Sequence, residues 1–205
     1  MVFDLKQLIK KYSMNLQNVI HIGGHHGHEV ELYKEINPNC TVEIFEPHPN
    51  TFNIMKNNVS SFSQINCHNV ALGSKETVME LFVETANQGQ SNSLLKPKHH
   101  INQYPHIRFE NTIEVPVKTL DSFKLDESYN FISIDVQGFE LEVLKGANET
   151  LKNIQYLIAE VNNTELYENC CMIEELDQFL KQFDLYRVET NWMGGTWGDG
   201  FYMRQ

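Results

Sequence analysis

The residues of this 205-residue chain whose types and spacing could do chemistry are a short glycine loop and a few isolated acids. The run His21-Ile22-Gly23-Gly24-His25-His26-Gly27 follows a brief apolar segment. Glycines there let the backbone pass close to a ligand, and a helix starting next would turn its N-terminal amides toward an anion such as a carboxylate. Gly23-x-x-x-Gly27 is not the G-x-G-x-x-G dinucleotide fingerprint, which argues against a nicotinamide-dependent enzyme. Glu46 follows about 20 residues on, a position where a carboxylate accepts from both hydroxyls of a ribose. Asp135 and Glu160 end two later apolar runs. Asp135 is the first candidate for a general base or hydroxyl orienter, with Glu140, Glu160 and His26 as further acid–base candidates. Asn162 is placed to orient an acceptor. Trp192 and Trp197 stand among glycines in NWMGGTWGDG and offer faces for a sugar ring. Histidines crowd residues 25–28 and 99–106, but adjacent loop residues rarely point at one ion, so no metal is expected.

The elements that must position these residues follow from the hydrophobic period. Leu5, Leu8, Ile9 and Tyr12 predict an amphipathic helix over 2–12. Residues 18–22 (NVIHI) read as a buried strand, 28–36 as a helix, 41–45 as a second strand, and Phe52, Met55 and Val59 as a second helical stripe. Residues 65–72 read as a third strand. This β-α-β-α-β rhythm predicts a parallel sheet covered on both faces. It breaks at 77–118, which reads as an insertion with strands at 77–84 and 113–117 and a long loop between them. The rhythm resumes with a strand at 130–136, a helix after Gly138, a strand at 156–161 and a helix outlined by Ile173, Leu176, Leu180 and Phe183. Residues 185–190 and 200–203 read as a closing antiparallel pair. No linker divides the chain, so one domain spanning 1–205 is expected. In an open α/β sheet the strand carboxyl ends form the ligand edge, where the glycine loop, Glu46, Asp135 and Glu160 all fall.

Composition removes several classes of function. Twenty-seven acidic against 16 basic residues give a net charge of −11, without the clustered Lys and Arg that nucleic acid requires. No apolar run is long enough to span a membrane, and residues 1–12 hold Asp4 and three lysines rather than an apolar signal core. The four cysteines include adjacent Cys170 and Cys171 and form no C-x-x-C pair, as in a reducing, cytoplasmic setting.

The run VIHIGGHHGHEVELY, the dipeptide Glu46-Pro47, the segment NVALG at 69–73 and FISIDVQGFELEVLKGA at 131–147 resemble the FkbM family of S-adenosylmethionine-dependent methyltransferases. The last segment is the most specific, with Asp135, Gly138, Glu140 and Leu144-Lys145-Gly146 in pattern. The resemblance covers about residues 18–162 and implies a Rossmann-like class I methyltransferase fold. That fold is a mostly parallel seven-stranded sheet with helices on both faces and an antiparallel C-terminal strand. It also implies the cofactor S-adenosyl-L-methionine, with Gly23, Gly24 and Gly27 along its methionine part, Glu46 on the ribose, and Val70 and Ala71 along the adenine. His21, His25 and Pro47 flank these positions, Ser93 in QSNSL matches a further family stretch, and Asp135 falls near the sulfonium. Two positions depart from the family pattern: His21 stands where Asp is frequent, and Gln137 where Glu is common.

The expected activity is therefore methyl transfer to a hydroxyl of a sugar, glycan or related small metabolite. The alternative is a non-catalytic cofactor- or glycan-binding module that retains the fold, motivated by His21 and Gln137. The sequence leaves the acceptor and the oligomeric state open.

Overall fold

The computed structural model describes residues 2–205, so Met1 of the N-terminal reading lies outside the described residues. Helix α1 (Leu5–Tyr12) is capped by the Asp4 side chain and leads into β1 (Asn18–Ile22). Then follow α2 (Glu29–Ile36), β2 (Val42–Phe45), α3 (Pro49–Asn58), β3 (Ile65–His68), β4 (Ala71–Leu72), β5 (Thr77–Glu84), α4 (His100–Gln103) and β6 (Phe109–Lys118). The chain closes with β7 (Tyr129–Ile134), α5 (Glu140–Lys145), α6 (Asn148–Leu151), β8 (Tyr156–Asn162), α7 (Ile173–Leu180), β9 (Leu185–Met193) and β10 (Trp197–Arg204).

Seven strands form the main sheet in the order β3-β2-β1-β7-β8-β10-β9. Pairings are parallel from β3 through β8, and β10 runs antiparallel between β8 and β9. The central strands are buried on both faces, so each alternates between two cores rather than between core and water. Ile20, Ile22, Ile132 and Ile134 pack with α5, α6 and α7 on one face. Val19, Val42, Ile44, Phe131 and Phe201 pack with α1, α2 and α3 on the other. Fully burying a Val, Ile or Phe side chain is worth roughly 1.5–3 kcal/mol, so these two layers hold the strand ends in register.

Several boundaries differ from the sequence reading. The third strand expected at 65–72 is two strands. Asn69 Nδ2 donates to the carbonyls of Glu46 and Pro47 and carries the chain out of the main sheet. Ala71–Leu72 then pairs in parallel with β6. A second sheet, β4-β6-β5, results, and β6 begins four residues before the expected start at Ile113. Helix α4 lies in a stretch where no period was visible. The helix after Gly138 is split at Gly146, which passes so close to Gly73 that a Cβ would sit 2.1 Å from its carbonyl oxygen. The closing pair is longer than expected and turns at Gly194-Gly195, both at positive φ.

Candidate active site

The register of the main sheet sets a polar row at its ligand edge. His21 pairs with Ser133, and Glu160 pairs with Asp199. Each lies two residues along its strand from an apolar residue of the α1–α3 face: Val19, Phe131, Ile158 and Phe201. All four polar residues are buried and line one cleft of about 560 Å³, a volume suited to a drug-sized ligand. His21 Nδ1 is 2.7 Å from the Tyr33 hydroxyl, and burial lowers the imidazole pKa, so the ring is neutral near pH 7.

Beside this row an acid cluster forms. The carboxylates of Asp135, Glu140 and Glu160 offer oxygen atoms within 4.8 Å of one another. Gln137 Nε2 donates to Asp135 Oδ1 at 2.7 Å and to Glu160 Oε2 at 2.6 Å, so one amide bridges two acids. The Tyr167 hydroxyl lies 2.9 Å from Gln137 Oε1, which orients the amide with its nitrogen toward the acids. Gln137 adopts φ 56°, a left-handed conformation that a non-glycine residue takes at some cost. Glu160 is 4 % exposed. Burial, then the charges of Asp135 and Glu140, raise its pKa well above the usual carboxylate range, which favours its protonated form. Asp135, in contrast, is exposed to the cleft.

The glycine loop hooks onto β2. The amides of Gly23 and Gly24 both donate to the Phe45 carbonyl, at 3.0 and 2.8 Å. That hook brings the His25 amide to Glu46 Oε2 (3.0 Å), while the His48 amide donates to Glu46 Oε1 (2.9 Å). A carboxylate has about four acceptor sites, so about two remain on Glu46 for a ligand. Burial pushes its pKa up to about 7. Phe45, Pro47, Val70, Ala71 and Leu72 add an apolar slot beside it.

The loop between β5 and β6 folds over the opposite rim. Asn87, the 89–94 segment, His100, Tyr104, His106 and Ile107 all line the cleft. His25 Nε2 lies 2.9 Å from the Gln88 carbonyl and ties the glycine loop to this rim. His26 stacks on His25 at 3.9 Å, and partial burial lowers its pKa. The Ser93 hydroxyl donates to the Gln137 carbonyl at 2.8 Å, which fixes the acid-bearing turn to the rim.

The structure thus gathers His21, Gly23, His25, His26, Glu46, Pro47, Val70, Ala71, Ser93, Asp135, Glu160 and Trp197 around one cleft. Five anticipated residues stand elsewhere. Gly24 and Gly27 lie behind the wall, where a Cβ would meet Ile44 at 2.5 Å and Val59 at 2.8 Å, so their smallness serves helix–sheet packing. Glu140 is fully buried and accepts from the amides of Val136 (3.0 Å) and Gly138 (3.2 Å), holding the turn rather than facing the cleft. Asn162 is wholly buried away from the cleft, and Trp192 is exposed on β9.

Four further residues of the site escaped the sequence reading, Ser133, Asp199, Tyr167 and Tyr104, while His100 stands there only among the crowded histidines of 99–106. Ser133 and Asp199 carry a visible signal, since each is two positions from an apolar residue in a buried strand. Tyr167, His100 and Tyr104 reach the site through loops that carry no period.

Gly23 is the loop position with least freedom. At φ +84° its Cβ would lie 1.8 Å from the Asp135 carbonyl oxygen, where the ends of β1 and β7 meet. Gly23→Ala is expected to cost more than about 2 kcal/mol of stability and to weaken ligand binding. Gly195→Ala, at φ +84° but with nothing within 4 Å, is the control and costs only about 1 kcal/mol. Thermal unfolding of the two variants checks this, and equal losses would contradict it.

Known proteins place this architecture. The chain overlays a SAM dependent methyltransferase from Aquifex aeolicus with a TM-score of 0.52 at 13% identity, covering 100% of this chain and 91% of that one. It overlays M. capricolum TrmK in complex with S-adenosyl-homocysteine with a TM-score of 0.52 at 12% identity, covering 100% and 70%. These likenesses establish the fold. In sequence it is 25% identical over 175 residues to the 2-O-methyltransferase NoeI of Sinorhizobium fredii (strain NBRC 101917 / NGR234), covering 82% of this chain and 72% of that protein. The family model described as "Methyltransferase FkbM domain" matches residues 21–187, from the polar end of β1 to β9. The chain therefore belongs to the FkbM family of S-adenosylmethionine-dependent methyltransferases.

Proposed function

We propose that this methyltransferase acts on a hydroxyl of an uncharged sugar, glycan or related polyhydroxylated metabolite. The observation that carries this reading is the charge of the cleft. Glu29, Glu46, Asp135, Glu160 and Asp199 line it, and no Lys or Arg does. With no cation in its wall, the cleft offers no charged partner to a phosphate or carboxylate on the acceptor, while its acids can hydrogen-bond hydroxyls in either protonation state. That NoeI is a 2-O-methyltransferase supports oxygen as the acceptor atom.

The residues present fit the cofactor. Glu46 keeps acceptor capacity for the ribose hydroxyls, and the slot of Phe45, Pro47, Val70 and Ala71 suits the adenine. Gly23 lets the loop backbone run close to the methionine part, with His21 and His25 on either side and Ser93 securing the far rim. The cofactor, when bound, supplies a methyl group on a positively charged sulfur. With the cofactor bound, Asp135 would orient the acceptor hydroxyl and take up its proton, the methyl group being given up by the sulfonium, which would be left as a neutral thioether. Glu160 has a raised pKa that favours its protonated form, and Gln137 fixes Asp135 through the bridging amide. That bridge also explains why no metal enters the proposal: two of the three clustered carboxylates are already joined by a donor.

No helix among the described residues is long and apolar enough to cross a membrane. The four cysteines are unbridged, which supports a reducing, cytoplasmic setting. The test is incubation with S-adenosylmethionine and matched neutral and phosphorylated sugars, with methyl incorporation read by mass spectrometry. Neutral acceptors are expected to gain an alkali-stable methyl ether. Methylation confined to phosphorylated or carboxylate acceptors would overturn the reading.

A further inference from the structure

We propose that His100, Tyr104 and Trp197 form the acceptor subsite and that it takes an uncharged sugar ring through hydrogen bonds to its hydroxyls. The proposal rests on the sugar reading above and names the residues that recognise the ring.

Three observations meet on this side of the cleft. The Tyr104 hydroxyl accepts from Trp197 Nε1 at 2.8 Å and from Gln103 Nε2 at 2.9 Å. Its oxygen is thereby occupied as an acceptor, while its own proton has no acceptor among the described residues. Tyr104 lines the cleft, so that proton is left for a ligand oxygen. The second observation is His100, which lines the cleft, is 3 % exposed and has a buried Nδ1 without any hydrogen-bond partner. A buried polar atom left unpaired costs roughly 1–3 kcal/mol, so a hydroxyl that reaches it removes a penalty already present in the free protein. The ring is held by Tyr104, Phe109 and Tyr167, whose centroids lie 5.1, 5.4 and 5.3 Å away, so it is pre-positioned. The third is Trp197, whose indole is pinned through Nε1 and whose apolar body packs against Leu166, Tyr167 and Cys170.

Together these groups offer one proton donor, one imidazole nitrogen and one fixed aromatic face, with no cation. That set matches a pyranose or furanose ring, which presents C–H faces and hydroxyls that both donate and accept. It does not match a phosphate, which needs cationic donors. The subsite is also next to the chemistry. Tyr167 touches the His100 ring and bonds to Gln137, whose amide holds Asp135. A ring seated on Trp197 thus shares the cleft with the candidate base and lies on the side that Tyr167 and Gln137 connect to it.

The test uses the full-length chain, S-adenosylhomocysteine and a panel of neutral methyl glycosides (glucoside, galactoside, mannoside and fucoside). Glycoside binding is read by saturation-transfer NMR, cofactor binding by titration calorimetry, and turnover with S-adenosylmethionine by steady-state kinetics. Tyr104→Phe removes only the hydroxyl, and His100→Phe keeps the ring volume. Both variants are expected to raise the glycoside KM about tenfold, the effect of one lost hydrogen bond, with kcat within about twofold. S-adenosylhomocysteine affinity should stay unchanged, which a general packing defect would not allow. Wild-type glycoside binding that neither variant weakens would overturn the subsite while leaving the sugar reading intact. No glycoside binding by the wild type would overturn the sugar reading and the subsite with it.

Discussion

Glu46→Gln is expected to weaken S-adenosylhomocysteine binding about a hundredfold at pH 8, because a charge-assisted hydrogen bond is worth roughly 1.5–3 kcal/mol and two would be impaired. The argument is geometric. Glu46 is 7 % exposed, and each of its oxygens already accepts one backbone amide, from His25 and His48. The carboxylate has capacity left for both ribose hydroxyls. A glutamine does not, since its amide nitrogen would face one of those backbone donors instead. No Lys or Arg lines the cleft to compensate.

The same residue makes binding depend on pH, with a definite sign. Burial raises the Glu46 pKa to about 7, so the protonated form is substantial in the free protein near neutrality. Only the carboxylate accepts from two hydroxyls. Wild-type affinity should therefore rise with pH by up to about tenfold per unit below 7 and level off above it. Glu46→Gln should flatten this profile. The stability of the free protein runs the other way. A carboxyl whose folded pKa is raised contributes stability that is present below about pH 4.5 and lost as pH rises through about 7. Calorimetric titration from pH 6 to 8 checks the affinity, and thermal unfolding over pH 4–8 checks the stability. An affinity that falls with pH, or that Glu46→Gln leaves alone, would contradict the ribose assignment.

Asp135→Asn is expected to lower kcat by about a hundredfold to ten-thousandfold, the range for removing a positioned general base. Cofactor affinity should change by no more than a few fold. The substitution is conservative, because the amide oxygen it introduces can still accept from Gln137 Nε2. It removes the charge that takes the hydroxyl proton. Glu160 is a poor replacement, since its burial still raises its pKa and disfavours the carboxylate. Asp135 and Glu160 face each other across a shared donor, Gln137 Nε2. Single-turnover kinetics separates the chemical step from binding. A kcat unchanged in Asp135→Asn would transfer the base to another group, with His26 next in line on the rim.

The sequence exposes the parts of this protein that follow a local period. β1 stands at 18–22 where a short apolar run predicts a buried strand, and β5 at 77–84 where the side chains alternate. The acids Glu46, Asp135 and Glu160 are legible because each interrupts or closes an apolar run at the ligand edge of the sheet, although Glu46 and Glu160 are themselves buried. Glycines are less transparent: Gly23 meets the cleft, while Gly24 and Gly27 make room for Ile44, Met55 and Val59. Nothing in a one-dimensional reading distinguishes a glycine that admits a ligand from one that admits a helix. Glu140 misleads for a related reason, since an acid opening a helix serves backbone amides as readily as a substrate. Tyr104 is invisible in advance, and His100 stands out only as one of several histidines, because the segment between β5 and β6 reaches the cleft only once those strands have paired. Gln137 reads as a loss of charge from the family pattern, but in the folded chain it is the donor that bridges Asp135 and Glu160.

The most direct test of the division of the cleft is a crystal structure of the chain with S-adenosylhomocysteine. The account predicts both ribose hydroxyls on Glu46, the adenine against Val70 and Ala71, the sulfur facing Asp135, and the His100–Tyr104–Trp197 side left open for the acceptor. A ribose bound away from Glu46, or a cofactor lying across His100 and Trp197 with its sulfur turned from Asp135, would contradict it.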